Sequence, residues 1–244
     1  MKKIKIYLSP AAHAYDHRCS YGGGCTENTH SNMFMDYIEK YLKASGFDVK
    51  RKDIRMVGDD GMIKCVEESN KWGANLHYVV HTNASNGTVQ GSRPMYYPSG
   101  DGKKICATIK KYREMIYPYH VSPRANTSLY EIRMTKAVAV YEELVFHDNA
   151  VDAKWLHDNM RLMAEYTVLA LCDYYGVEFV NPFIKKGDVN NDGKVNTTDA
   201  RIILQHAAGK RNLSGTEKLA GDYNGDGSVD TSDARQILKN SVEK

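Results

Sequence analysis

The C-terminal quarter of the chain contains one 15-residue pattern twice. GDVNNDGKVNTTDAR begins at Gly187, and GDYNGDGSVDTSDAR begins at Gly221. Self-similarity of this kind indicates a duplicated structural unit. The segment 187–244 is therefore predicted to form a small domain of its own, built from two equivalent units.

Each copy has the spacing of a calcium-binding loop, with Asp or Asn at loop positions 1, 3 and 5, Gly at position 6 and Asp at position 12. Oxygen atoms from these side chains, and the backbone carbonyl of position 7, converge on a hard cation. A single such segment could be an ordinary turn, but two in the same register predict two structural Ca²⁺ ions. The predicted ligands are Asp188, Asn190, Asp192, Lys194 (carbonyl) and Asp199, then Asp222, Asn224, Asp226, Ser228 (carbonyl) and Asp233.

A helical pattern follows each loop, at Thr198–Ala208 and Ser232–Val242, but Pro182 argues against the entering helix of an EF-hand. Tandem loop–helix units resemble the type I dockerin, a module that attaches enzymes to the cohesin domains of a scaffoldin. The resemblance implies a cohesin partner, contacted by residues around the last Asp of each loop. Those residues are Thr197, Thr198, Arg201, Thr231, Ser232 and Arg235.

The first 180 residues alternate strand and helix patterns. Strands are predicted at Lys3–Ser9, Phe47–Lys52, Leu76–His81, Ala137–Phe146 and Val177–Val180, and helices at Asn28–Ala44, Gly61–Trp72, Lys103–Tyr117 and Val151–Tyr175. This alternation predicts an α/β domain, a mostly parallel twisted sheet flanked by helices on both faces. The expected organisation is a catalytic domain at 1–180, a linker at 181–186 and the small α-helical calcium-binding domain at 187–244.

Charge and composition exclude some classes of partner. The net charge of +3 is too small to indicate nucleic-acid binding, and no run of about 18 apolar residues could span a membrane. No apolar signal region follows the N-terminal lysines. Of the five cysteines, Cys19 and Cys25 flank a Gly-rich loop and either form a disulfide or remain separate thiols. Cys65, Cys106 and Cys172 lie in apolar patterns and are predicted to be buried thiols.

Three candidate metal ligands are predicted to lie at one edge of the sheet. His13 follows the first strand, Glu27 begins the next helix, and His81 ends the strand Leu76–His81. Two imidazoles and one carboxylate suffice for a catalytic zinc ion with a fourth position open to water. Their positions alone leave it open whether they are ligands or structural side chains.

Four stretches of the first domain, IYLSPAAHAYD, GGGCTENTHSNMFMDYIEKYLKASGFDV, YVVHTNAS and VYEELVFHDN, resemble the zinc-dependent N-acetylmuramoyl-L-alanine amidases, which include clostridial phage endolysins. The resemblance implies that His13, Glu27 and His81 bind one Zn²⁺ and that Glu143 is the catalytic residue. Phe146 and Asn149 set this register and favour Glu143 over Glu142. Asn83 is expected to contact substrate. The chain departs from the family pattern at Ala12, Ala14, Tyr15 and Val145, where glycine is usual.

The resemblance also implies a reaction. A zinc-activated water would attack the amide that joins the lactyl group of muramic acid to L-alanine in peptidoglycan, with Glu143 as general base and then general acid. Two alternatives are another zinc hydrolase on a similar sheet, namely a carboxypeptidase or a polysaccharide deacetylase, and a non-catalytic wall-binding module. A dockerin acts outside the cell, so an extracellular or cell-surface location is expected although no signal peptide is visible.

Overall fold

The structure, a computed structural model, describes residues 3–15, 17–22, 24–213 and 215–242. Asp16 and Gly23, which belong to the quoted family stretches, lie outside the described residues. The chain divides into two compact units, Met1–Val180 and Asn181–Lys244. None of the helices among the described residues is both long and apolar enough to cross a membrane.

The larger unit contains a six-stranded sheet with the strand order β2-β1-β3-β6-β4-β5. The strands are β1 (Lys5–Pro10), β2 (Asp48–Arg51), β3 (Leu76–Asn83), β4 (Arg93–Tyr96), β5 (Arg124–Ala125) and β6 (Val138–Phe146). Strands β2, β1, β3 and β6 are parallel neighbours, and only the β4–β6 pairing is antiparallel. The prediction of a mostly parallel sheet is confirmed.

Helices cover both faces of this sheet. They are α1 (Glu27–Ala44), α2 (Gly58–Trp72), α3 (Gly102–Arg113), α4 (Tyr130–Arg133) and α5 (Ala150–Tyr175). Tyr7 of β1 packs against Cys65 and Val66 of α2. Its neighbours Ile6 and Leu8 are fully buried and project from the opposite face, because side chains alternate along a strand. A strand covered on both sides carries consecutive apolar residues, as β1 does at Ile6–Leu8 and β3 at Tyr78–Val80.

Four elements of the larger unit differ from the sequence-based expectation. Val177–Val180 does not form a strand, so that prediction is wrong; after α5 ends, the Val180 amide donates to Ser45 Oγ at 3.0 Å instead of joining the sheet. The short strands β4 and β5 and the one-turn helix α4 were not predicted. A strand of two to four residues is too short to show periodicity.

The smaller unit contains α6 (Thr197–Ala207), α7 (Gly215–Gly221) and α8 (Thr231–Val242). Its core joins residues of both repeats, with Val189, Ile203, Ala234 and Ile237 buried together. The segment assigned to the linker contacts this unit, since Lys185 Nζ donates to the Gly193 carbonyl at 2.9 Å.

Candidate active site and paired candidate cation-binding loops

The three predicted zinc ligands lie together at the carboxyl edge of the sheet. Glu27 Oε1 lies 2.9 Å from His81 Nδ1, and Glu27 Oε2 lies 3.2 Å from His13 Nε2. One donor atom from each residue falls within 4.8 Å of the other two. The fold thus brings together side chains that are 14 and 54 residues apart in the chain.

Local structure holds each of these side chains in place. Glu27 is the first residue of α1, whose N-cap Thr26 accepts from the Thr29 amide. Glu27 Oε1 also accepts from the Thr82 amide at 3.1 Å, which ties the start of α1 to β3. The Asn28 side chain hydrogen-bonds both the amide and the carbonyl of His13, at 2.9 and 3.0 Å. The ligand positions are therefore set by backbone contacts and do not depend on the imidazoles alone.

The loop between His13 and Glu27 is tied to its surroundings. Cys19 and Cys25 form a disulfide across it, and the Ser20 amide donates to the His147 carbonyl at 2.8 Å. Of the two alternatives left open by the sequence, the structure shows the disulfide. Cys65, Cys106 and Cys172 are buried thiols, as predicted.

The electrostatics of Glu27 suit a metal ligand. Burial raises its pKa, but hydrogen bonds from His13 and His81 outweigh that effect and hold the pKa well below the ordinary value. Glu27 is therefore an anionic carboxylate between two imidazoles. This set of donors, one carboxylate and two ring nitrogens, fits zinc in a catalytic site.

Glu142 and Glu143 have different surroundings although they are neighbours in β6. Glu142 is fully buried and accepts hydrogen bonds from Arg113 and Tyr78. Glu143 is the register partner of His81 in β3 and of Arg93 in β4. Burial raises the pKa of Glu143 to about 7, and its buried Oε2 has no hydrogen-bond partner among the described residues. Glu143 is the member of the pair that is placed beside the ligand cluster and can exchange a proton near neutral pH.

Two other residues lie at this edge of the sheet, one predicted from the sequence and one not. Asn83, the expected substrate contact, ends β3 and is half-buried, and its Oδ1 accepts from the Ala84 amide at 2.9 Å. The Tyr141 ring stacks on His81 with the centroids 4.7 Å apart. Sequence reasoning missed Tyr141, although it lies two residues before Glu143 and so on the same face of the strand.

His30, three residues beyond Glu27 on α1, lies in the interior of the larger unit. The His30 side chain is fully buried, and its ring lies 6.0 Å from the ring of His157 on α5. The physical reason is helical periodicity. His30, Phe34 and Ile38 recur at four-residue spacing and share the buried face of α1.

A cleft of about 490 Å³ opens beside the ligand cluster. Its lining includes His13, His81 and Tyr141, together with Lys52 and Glu131. A volume of this size accommodates more than the atoms of one amide bond. The cleft can therefore hold a portion of a larger substrate.

The two repeated loops of the smaller unit have matching geometry. Asp199 and Asp233, at loop position 12, are fully buried, and each accepts from two backbone amides at the start of its own loop. At loop position 1, Asp188 accepts from the amides of Asp192 and Gly193, and Asp222 accepts from those of Gly225 and Gly227.

The residues at positions 3 and 5 of each loop are also bonded to each other. The side chains of Asn190 and Asn224 donate to Asp192 and Asp226, respectively. Lys194 and Ser228 follow at position 7, where their amides donate to those same aspartates.

Position 6 of each loop requires glycine. Gly193 and Gly227 have φ values of 86° and 88°, which a side chain with a Cβ atom rarely adopts. The carboxylates and amides at positions 1, 3, 5 and 12 thus belong to one short loop in each repeat and supply oxygen atoms, the donors that a hard cation takes.

The residues expected to contact cohesin lie at the starts of the two long helices of this unit. Thr197 and Thr198 begin α6 and Thr231 and Ser232 begin α8, with Arg201 and Arg235 one turn further along. All of these side chains are exposed except Thr198, which is half-buried. They form two equivalent sets, one for each repeat.

Comparison with known proteins agrees with both units. The sequence matches the family model for N-acetylmuramoyl-L-alanine amidase over residues 8–173 and the model for the dockerin type I domain over residues 186–243. Comparison with curated proteins finds no significant match.

Solved structures share the fold of the larger unit. The catalytic domain of CwlV, an N-acetylmuramoyl-L-alanine amidase from Bacillus (Paenibacillus) polymyxa var. colistinus, is 19% identical with a TM-score of 0.63, covering 72% of this chain and 100% of that chain. The catalytic domain of the CD27L endolysin, which targets Clostridia difficile, is 20% identical with a TM-score of 0.60, covering 74% and 100%. AmiC2 of Nostoc punctiforme, an N-acetylmuramoyl-L-alanine amidase, is 18% identical with a TM-score of 0.62, covering 72% and 98%.

At these identities the similar structures show the fold alone, whereas the family model covers more than half of the chain and includes His13, Glu27, His81 and Glu143. The chain therefore belongs to the N-acetylmuramoyl-L-alanine amidase family and carries a dockerin type I domain after its amidase domain.

Proposed function

We propose that the larger unit hydrolyses the amide bond between the lactyl group of muramic acid and L-alanine in peptidoglycan, and that the reaction depends on zinc. The observation that carries the proposal is the position of Glu143, which is paired in register with His81 at the edge where His13, Glu27 and His81 converge. A domain that only binds cell wall has no need of a metal-ligand cluster with a protonatable carboxylate beside it.

His13, Glu27 and His81 would hold the zinc ion, and their geometry supports this assignment because their donor atoms already converge within 4.8 Å. When bound there, zinc supplies Lewis acidity, which activates a water molecule and polarises the scissile carbonyl. The anionic state of Glu27 favours binding of a divalent cation. Stacking on Tyr141 keeps the His81 ring in a single orientation.

Glu143 would move the proton. As the carboxylate it accepts the proton of the attacking water, and as the acid it returns a proton to the departing amine of L-alanine. Its burial serves both steps, because a low-dielectric environment brings the pKa of a carboxyl group toward neutrality. Asn83, at the end of β3, would bind the substrate beside this residue.

The test is a Glu143→Gln variant of the full chain. We expect bound zinc to be retained and the rate of amine release from peptidoglycan to fall on the order of 10²- to 10⁴-fold, the usual contribution of a general acid–base residue. Release of L-alanine amino termini distinguishes this activity from deacetylation, which would release acetate. A Glu143→Gln variant with the wild-type rate would overturn the assignment of Glu143.

We further propose that the two loops of the smaller unit each bind one structural Ca²⁺ ion and that the unit binds a cohesin domain. The oxygen-rich side chains of each loop support calcium, since hard cations take oxygen ligands. The paired sets at the starts of α6 and α8, namely Thr197, Thr198 and Arg201, then Thr231, Ser232 and Arg235, would supply the cohesin contacts. Both activities act outside the cytoplasm, so we place the protein outside the cell or at its surface.

A further inference from the structure

The segment that carries Glu27 contains a second group of side chains able to bind a metal ion. Cys19 and Cys25 precede Glu27, His30 follows it, and each of these three offers a donor atom within 4.8 Å of the other two. Cys19 is largely buried and His30 is fully buried, whereas Cys25 is half-buried. Sulfur and imidazole nitrogen are the donors that zinc takes in structural sites. The amidase mechanism proposed above uses none of the three.

His157 of α5 offers a fourth donor. Its ring lies 6.0 Å from the ring of His30 at an interplanar angle of 75°. The two imidazoles of the candidate active site, His13 and His81, are arranged alike, with centroids 5.0 Å apart and the same angle. The Tyr21 ring stacks on His157 at 4.4 Å, which ties His157 to the loop between the cysteines. Two cysteines and two histidines are the ligand set of a closed, four-coordinate zinc site.

The backbone brings the two cysteines together by contacts other than the bond between their sulfur atoms. The Cys19 amide donates to the Cys25 carbonyl at 3.1 Å, and Arg18 and Thr26 form an isolated antiparallel bridge beside them. A tetrahedral zinc ion with Zn–S bonds of about 2.3 Å needs its two sulfur atoms about 3.8 Å apart. The Cα atoms of the two cysteines lie 5.9 Å apart, so rotation of the side chains suffices to reach that separation.

Metal binding at this place requires the disulfide between Cys19 and Cys25 to be reduced, because the thiolate is the metal ligand. A dithiol reductant supplies two electrons and two protons: the S–S bond breaks, both cysteines become thiols, and the reductant becomes a cyclic disulfide. The metal ion then displaces the two thiol protons, which pass to solvent. Cys25 is half-buried and the flanking Ser20, Tyr21 and Gly22 are exposed, so a small dithiol has access.

We propose that Cys19, Cys25, His30 and His157 form a second metal site, which binds zinc or a similar divalent cation when the disulfide is reduced. The disulfide and the metal ion are thus alternative cross-links of the same loop. Cys25 lies two residues before Glu27 and His30 three residues after it. Either cross-link therefore holds the start of α1, where Glu27 is positioned.

Cobalt(II) titration of the full chain tests the site, with one sample oxidised and one reduced by a dithiol that is then removed under nitrogen. Cobalt bound to thiolate has a near-ultraviolet charge-transfer band that cobalt bound to imidazole or carboxylate lacks. We expect the band in the reduced sample alone. It should saturate with one cobalt ion more than the oxidised chain binds, and added zinc should abolish it.

Variants assign the ligands. Cys25→Ser is expected to lose the band. His30→Gln and His157→Gln keep both cysteines and should raise the dissociation constant of cobalt at least about 10-fold, because losing a ligand costs more than losing a residue that only orients one. Cys65→Ala is the matched control, since Cys65 belongs to the other described group of Cys, His and carboxylate donors; it should keep the band.

The site is overturned if the reduced wild type shows no band, or if Cys65→Ala removes the band while Cys25→Ser retains it. It is also overturned if both histidine variants, shown to be folded by their thermal transitions, bind cobalt as tightly as the wild type does. The outcome is independent of the amidase proposal, because the band reports cobalt bound to sulfur and the ligands His13, Glu27 and His81 contain none.

Discussion

Glu142 and Glu143 have opposite roles because one step along a strand reverses the direction of a side chain. Glu142 and Arg113 form an ion pair that is almost completely buried, and Arg113 also donates to Ser92 and Thr167. Removing one partner of a buried pair leaves an uncompensated charge in the core. We expect Arg113→Met to lower the free energy of unfolding by about 3–5 kcal/mol, measured by urea denaturation.

The control for this prediction lies on the same helix. Lys111 pairs with Asp173 at 3.1 Å, but both side chains are exposed. Surface ion pairs contribute about 1 kcal/mol or less, so Lys111→Met should change the stability very little. Equal losses for the two variants would show that Glu142 does not depend on Arg113. Because Glu142 is buried in the ion pair with Arg113, a Glu142→Gln variant would likewise change stability and would not test catalysis.

At the scale of elements, the junction between β6 and α5 connects Glu143 to the longest helix. Asn149 is the N-cap of α5, and its Oδ1 accepts from the amides of Val151 and Asp152 at 3.1 Å. Replacing an N-cap asparagine with alanine typically costs about 1 kcal/mol. We expect Asn149→Ala to lower the free energy of unfolding of the larger unit by about that amount, measured from the thermal unfolding transition of this unit.

Asn149→Ser serves as the comparison, because serine is also a good N-cap residue. It should restore most of the lost stability even though it cannot replace the bond from Asn149 Nδ2 to the Gly87 carbonyl at 3.1 Å. If serine were no better than alanine, the contact with Gly87 and not the cap would be the main contribution of Asn149.

At the scale of the whole molecule, each unit has its own function and its own core. A ligand that binds only the folded state stabilises it by about 2.7 kcal/mol at 100 times its dissociation constant. We expect the double variant Asp192→Ala, Asp226→Ala to lose the calcium-dependent shift of one calorimetric transition and to lose cohesin binding. Its rate of amine release from soluble peptidoglycan fragments should equal that of the wild type, and a matching loss of amidase activity would contradict independent action.

Several features of this protein follow from local sequence. The repeated loops are recognisable because calcium ligation needs oxygen donors at set positions within 12 residues, as in Asp188–Asp199. The central strands β1 and β3 are recognisable because each contains a run of buried apolar residues, Ile6–Leu8 in β1 and Tyr78–Val80 in β3. The strands β4 and β5 carry no such signal, and their pairing with β6 and with each other depends on long-range contacts.

The sequence by itself determined the two-part organisation and the repeated loops, and family resemblance indicated His13, Glu27 and His81 as candidate metal ligands. Only the tertiary structure decided that these three side chains meet and that Glu142 pairs with Arg113 while Glu143 faces the cluster. The physical reason is that spacing along a chain specifies local geometry, whereas burial, pairing and shared clefts arise between segments that are distant in sequence.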